Sequence, residues 1–167
     1  WMGAIPTTPD MGLEGLCAIL ASGKNLISLI HPPFMHEATV PPEMRKALLD
    51  ACEAGGATLH VTGIDPGFIA EAQGLLASSL CSRVDRIVTR EILDYPSYDS
   101  SVMIFDTMQF GTPPGPQVKG FVEAMTPFQA PAMYLVADGL GATIEGITAD
   151  VEVEYADEDF EVAAGTI

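Results

Sequence analysis

Few side chains in this 167-residue sequence combine reactive chemistry with a position that could use it. His31 closes the apolar run Asn25-Leu26-Ile27-Ser28-Leu29-Ile30, just before Pro32-Pro33. An imidazole at the C-terminal end of a strand can deliver a proton near neutral pH to a reduced imine or carbonyl held against it. The plainer reading is a loop histidine with no such role. His36 and Glu37 follow in a proline-flanked loop, and Glu37 is the first acid after the strand. The segment Val61-Thr62-Gly63-Ile64-Asp65-Pro66-Gly67-Phe68 joins an apolar strand to a helical pattern through two glycines and a proline. Asp65 suits an N-cap and Pro66 the first helical position, where a missing N–H leaves no bond unmade. A turn of this kind presents backbone N–H groups and the positive end of a helix dipole at a strand end, where open α/β sheets bind ligands. Gly63, Asp65, Pro66 and Gly67 are therefore candidate binding positions; a well-capped connection without a ligand is the alternative. Thr7-Thr8-Pro9 follows an earlier strand and offers hydroxyl and backbone groups, or forms an ordinary turn that caps the next helix. Tyr95 and Tyr98 bracket Pro96-Ser97 and supply either an aromatic wall for a small organic molecule or interface and core aromatics.

The elements that must position these groups alternate in the first half. Residues 2–5 read as a strand. Residues 13–22 place Leu13, Leu16, Cys17 and Leu20 on one helical face. Residues 25–30 form a second strand, residues 43–54 a helix stopped by Gly55-Gly56, and residues 58–62 a third strand. A helix starts near Pro66 and ends near Ser82. Strand, helix, strand, helix, strand with short loops calls for a parallel sheet. The pattern then changes. Residues 84–94 and 143–155 alternate as strands with one polar face. Residues 101–110 form a short helix rich in Met and Phe. Two helices, residues 117–125 and 130–140, are separated by Pro127 and Pro131. Asp157-Glu158-Asp159 is a turn from which residues 160–163 pair back as a hairpin. The second half is thus α+β with a partly solvated antiparallel sheet.

Charge and composition exclude several classes of function. The formal net charge is −16. It argues against nucleic-acid binding and against an anionic membrane surface. The recurring acids after Lys119 read as a solvated face, since their spacing lacks the EF-hand pattern of a divalent-cation loop. The histidines form no close-spaced zinc motif. Cys17, Cys52 and Cys81 have no CxxC partner and read as reduced thiols packed as small hydrophobes, hence a cytoplasmic protein. No apolar run is long enough to span a membrane, and no P-loop or nucleophile elbow is present. The ends read as cut, with sequence missing on both sides.

Several patches together carry a family resemblance. Ser22-Gly23-Lys24-Asn25-Leu26-Ile27-Ser28 resembles the "GKNVV" strand start of dihydrodipicolinate-reductase-like proteins. More specifically, it resembles the branch holding 2,4-diaminopentanoate dehydrogenase and the native amine dehydrogenases. Gly63-Ile64-Asp65-Pro66-Gly67-Phe68 is similar to that branch's "GxNPGF" turn. Residues 80–87 and the Asp94-to-Ser100 run "DYPSYDS" are similar to segments that follow it. The resemblance implies an NADP- or NAD-dependent oxidoreductase that transfers hydride to a C=N or C=O bond of a small polar substrate. It implies an α/β fold in which residues 1–82 end a Rossmann-like parallel sheet with its connecting helix. Residues 83–167 would form an α+β substrate and oligomerisation domain, in incomplete form. The phosphate loop would lie upstream of Trp1. Thr7, Thr8, Pro9 and the Gly63–Gly67 turn would line the nicotinamide side, and His31, Phe68, Tyr95 and Tyr98 the substrate side. At the place of the family's catalytic glutamate stands Leu29-Ile30-His31-Pro32-Pro33, which leaves proton handling open between His31 and Glu37. A homo-oligomer, dimer or tetramer, is expected from the one-sided sheet and the Met/Phe-rich helix. The alternative is a non-catalytic acidic α+β module for oligomerisation or regulation.

Overall fold

The computed structural model describes residues 12–113, 115–150 and 152–167. Their contacts divide into two units, the first holding residues up to Thr89 together with Pro127–Ile147, the second Arg90–Thr126 and Thr148–Ile167. The boundary drawn from the sequence after residue 82 lies inside the first unit.

The first unit contains α1 (Leu13–Ala21), β1 (Leu26–Ser28), α2 (Pro42–Gly55), β2 (Leu59–Val61), α3 (Ala72–Ser78) and the later part of α4 (Pro116–Leu140). The apolar stripe of α1 buries Leu16 and Leu20. α2 opens on Pro42, whose missing N–H falls in the first turn, and buries Leu48 and Ala51 against them. β1 and β2 run parallel, with Leu26 opposite Leu59, Ile27 opposite His60 and Ser28 opposite Val61. With α2 as the crossover they make a β–α–β unit. Strand alternation sets the faces: Ser28 and Val61 are buried, while Ile27 and His60 are exposed. Asn25 Oδ1 accepts the Thr58 N–H at 2.9 Å, and the Ser28 carbonyl accepts the Thr62 N–H at 3.0 Å, so the pairing is secured at both ends. Phe34, in a 3₁₀ turn over Pro32–Phe34, completes the core with Leu16, Leu20, Leu48, Ala51 and Val61.

The second unit is organised around a π-helical turn, Val102–Thr107, in which Met108 N–H reaches the Met103 carbonyl at 2.8 Å. It buries Ile104 completely. β3 (Glu161–Val162) and β4 (Gly165–Thr166) form a short antiparallel hairpin, lengthened by paired 2.9 Å bonds between Phe160 and Ile167. The Ala163 N–H ties the hairpin to the Pro96 carbonyl at 2.8 Å.

Several expected elements differ. The strand over residues 2–5 lies outside the described residues. α4 is continuous through Pro127 and Pro131, although proline removes a helical bond. Its later part packs well enough to hold it, since Ala130, Pro131, Ala132 and Ala137 are buried. Residues 84–94 and 143–155 form no ladder among the described residues, and Val88, Ile92, Leu93, Val153 and Tyr155 are exposed. Alternation marks a two-faced segment, but a strand needs a neighbour to take its hydrogen bonds. The hairpin turns at Ala163-Ala164, not at Asp157-Glu158-Asp159. Cys17 and Cys52 are half-buried as expected of small apolar groups, but Cys81 is exposed just beyond α3.

The ends of α1 and α2 approach backbone to backbone. A Cβ on Gly55 would lie 1.9 Å from the Leu20 carbonyl oxygen. Gly55→Ala is expected to destabilise the protein by about 1–3 kcal/mol in chemical denaturation, because backbone, not a pliable side chain, must move. Gly15→Ala is the control. No atom lies within 4 Å of a Cβ at Gly15, an α1 position. That change is expected to stabilise by about 0.5–1 kcal/mol.

Candidate functional site

Two groups of residues leave the sheet at one edge. β1 and β2 are parallel, so their C-terminal ends lie side by side, and from them run Leu29-Ile30-His31 and Thr62-Gly63. This is the edge at which open α/β sheets take ligands. After β2 the chain folds back on itself. The Ile64 carbonyl accepts the N–H groups of Phe68 at 3.1 Å and Ile69 at 2.9 Å. Gly67 has φ 138°, and a Cβ there would fall 2.0 Å from the Gly63 nitrogen; a Cβ on Gly63 would fall 2.4 Å from the Pro66 carbonyl oxygen. Both positions therefore demand glycine. The φ of Gly67 is incompatible with a helix through it. The helix expected from Pro66 accordingly begins at Ala72, and Asp65 and Pro66 sit in the turn, not at its cap.

Glu71 precedes α3 and is 5% exposed. Neither of its carboxylate oxygens has a hydrogen-bond partner. Burial pushes this carboxyl above the ordinary glutamate range, and the neighbouring charge of Asp65 pushes the same way. The N–H groups of Glu71 itself and of Gly67 lie near enough to favour the anion, without meeting hydrogen-bond geometry, and offset this only in part. Buried carboxylates are nearly always hydrogen-bonded or paired, which makes Glu71 a candidate site residue.

His31 is fully buried. Its Nδ1 lies 2.6 Å from Ser28 Oγ, which also accepts the Ile30 N–H at 3.3 Å, and its ring stacks on Phe34 at 5.5 Å. Ser28 thus ties the imidazole to the backbone at the end of β1. His36 is also engaged at both nitrogens. Nδ1 accepts the Ala38 N–H at 3.1 Å, which places the ring proton on Nε2, 2.8 Å from Asp138 Oδ2. The ring stacks on Tyr134 at 5.2 Å. His36 therefore clasps its loop to α4. Glu37, exposed, forms an ion pair with Arg45.

Phe68 is exposed beside the turn, whereas Tyr95 and Tyr98 belong to the second unit. There Tyr95 packs edge-on to Tyr98 at 6.0 Å and against Phe110 at 5.2 Å. Burial, then Glu91 and Tyr98, raise the Tyr95 phenol above its ordinary value, so it keeps its proton at neutral pH. Burial, then Cys52, likewise push the Cys17 thiol up, away from the reactive thiolate. Thr7, Thr8 and Pro9 lie outside the described residues. Among the described residues no group of three or more His, Cys, Asp or Glu could hold a metal ion, and no helix is long and apolar enough to cross a membrane.

Glu71, Tyr134 and Asp138 belong to no motif in the sequence, and Ser28 stood out only as the end of the Ser22–Ser28 patch. For Glu71 a signal does exist: it stands three residues after Phe68 and four before Leu75, an acid on an apolar stripe.

Over 105 residues the chain is 32% identical to an amine dehydrogenase of Streptomyces virginiae. The match takes in 63% of this chain but 29% of that relative's length. No family model matches the chain, and no solved structure matches it significantly.

The raised Glu71 carboxyl has a thermodynamic consequence. Its contribution to stability is fully present below the ordinary glutamate value and is lost as pH rises through the raised folded-state value. Glu71→Met removes the buried charge. The variant is expected to gain on the wild type as pH rises from 4 to 8, by about 1–3 kcal/mol at the upper end. Paired denaturation curves across that range check this; a difference independent of pH contradicts it.

Proposed function

We propose that this chain is part of an NAD(P)-dependent dehydrogenase acting on the carbon–nitrogen bond of a small amine, or in reverse on the corresponding C=N bond. The observation that carries this reading is the 105-residue similarity to an amine dehydrogenase, which is 32% identical there. The position of the Gly63–Gly67 turn supports it, because a β–α–β unit offers its ligands the C-terminal strand ends. The described residues suit one end of the cofactor. Ile64 and Phe68 are 73% and 53% exposed beside the turn and offer apolar surface to a flat ring. Thr7, Thr8 and Pro9 are proposed to complete that side, in a Rossmann-like sheet. When bound, the nicotinamide supplies or accepts the hydride. The protein's own task is to hold the substrate carbon at the strand ends and exclude water from it. His31 is fully buried beside Ser28 and Phe34, so proton delivery through it requires the substrate to reach it at the end of β1. A homo-oligomer accords with the exposure of Leu76 in α3 and of Leu80 just beyond it. A cytoplasmic location belongs to the same reading.

The test is direct. The complete gene product containing this sequence is titrated with NADH and NADPH by nicotinamide fluorescence, then assayed for amine-dependent reduction of the oxidised cofactors. Binding of at least one cofactor and turnover of a primary amine are expected. No response to either cofactor contradicts the reading and favours a non-catalytic module.

A further inference from the structure

The geometry points to Glu71 as the subsite for a primary ammonium group, received against the Gly63–Gly67 turn. This rests on the amine dehydrogenase reading and names the residue that would recognise the amine.

Three observations lead here. The carboxylate is nine-tenths buried with both oxygens unpartnered, although ordinary packing would have paired or excluded it. Its charged neighbour is another acid, Asp65, so among the described residues no cation balances it. The missing partner is therefore a cation with hydrogen-bond donors. A metal ion fits poorly, since among the described residues no group of three or more ligating side chains gathers anywhere. A primary ammonium fits well: it is compact, carries three N–H donors, and pairs with a carboxylate through charge-assisted hydrogen bonds. The place is also suitable. Glu71 follows directly on the turn at the strand ends, and the backbone contact of Gly67 with Gly63 fixes where that turn lies. Exposed Ile64 and Phe68 stand beside the same turn and suit the apolar part of a small alkyl amine.

The experiment uses the complete gene product labelled with carboxyl-¹³C glutamate, with the Glu71 resonance assigned on the wild-type protein. Propylammonium chloride is titrated in at pH 8, with tetramethylammonium chloride, which has charge but no N–H, as the comparison. A saturable shift of the Glu71 carboxyl with propylammonium alone is expected. No saturable shift, or an equal response to tetramethylammonium, overturns the assignment. In parallel, Glu71→Gln is expected to raise KM for a primary amine roughly ten- to a hundredfold, the loss of a hydrogen bond to a charged group. An enzyme that oxidises amines with KM unchanged in Glu71→Gln overturns the subsite while leaving the dehydrogenase reading intact. A propylammonium-specific shift in a protein that oxidises no amine supports the subsite while the dehydrogenase reading fails.

Discussion

Gly67 lies so close to Gly63 that a single methyl group on either would overlap backbone atoms. Much of the first unit's chemistry depends on that contact. It stops a helix from starting at Pro66, folds residues 64–71 into a compact turn at the end of β2, and carries Glu71 inward instead of onto a solvated helical face. Two glycines thus decide where an acid sits, and the acid's burial decides its chemistry.

The buried and half-buried polar side chains of this unit fall into two kinds. His31 is held at Nδ1 by Ser28 and His36 at both nitrogens by Ala38 and Asp138, and each ring is stacked on an aromatic neighbour. Such groups hold a loop in one arrangement, as His36 does in joining its loop to α4 across a long stretch of sequence. The exposure of Asp138, at 69%, keeps the strength of that clasp modest. Glu71 differs from both. It has an ionisable carboxyl, a buried setting and no hydrogen-bond partner. Among the described residues, Glu71 is the buried side chain left unsatisfied, and such a group is the place to look for a ligand.

The sequence made part of this legible, and for physical reasons. α1, β1, α2 and β2 stand where local periodicity puts them, because each buries its apolar face against a neighbour close in the chain. The turn at Gly63–Gly67 was also visible, but its consequence was not: Asp65 and Pro66 satisfy every local rule for a helix start, and only the contact of Gly67 with Gly63 overrides them. Beyond residue 82 the alternating segments predicted strands whose partners do not form among the described residues, and the prolines of α4 predicted a break that packing does not allow. His31 and Glu37 were legible as reactive types, yet their partners, Ser28 and Arg45, depend on folded geometry. Glu71 was hidden because a lone acid in a helical stripe looks solvated until the turn before it is known.

The titration of Glu71 in the wild type and in Gly67→Ala, read from its side-chain carboxyl resonance, tests this account most directly. In the wild type the group is expected to titrate above the ordinary glutamate range. In Gly67→Ala, where the turn must open, it is expected to return toward that range. A wild-type Glu71 that titrates as an ordinary solvated glutamate contradicts the account.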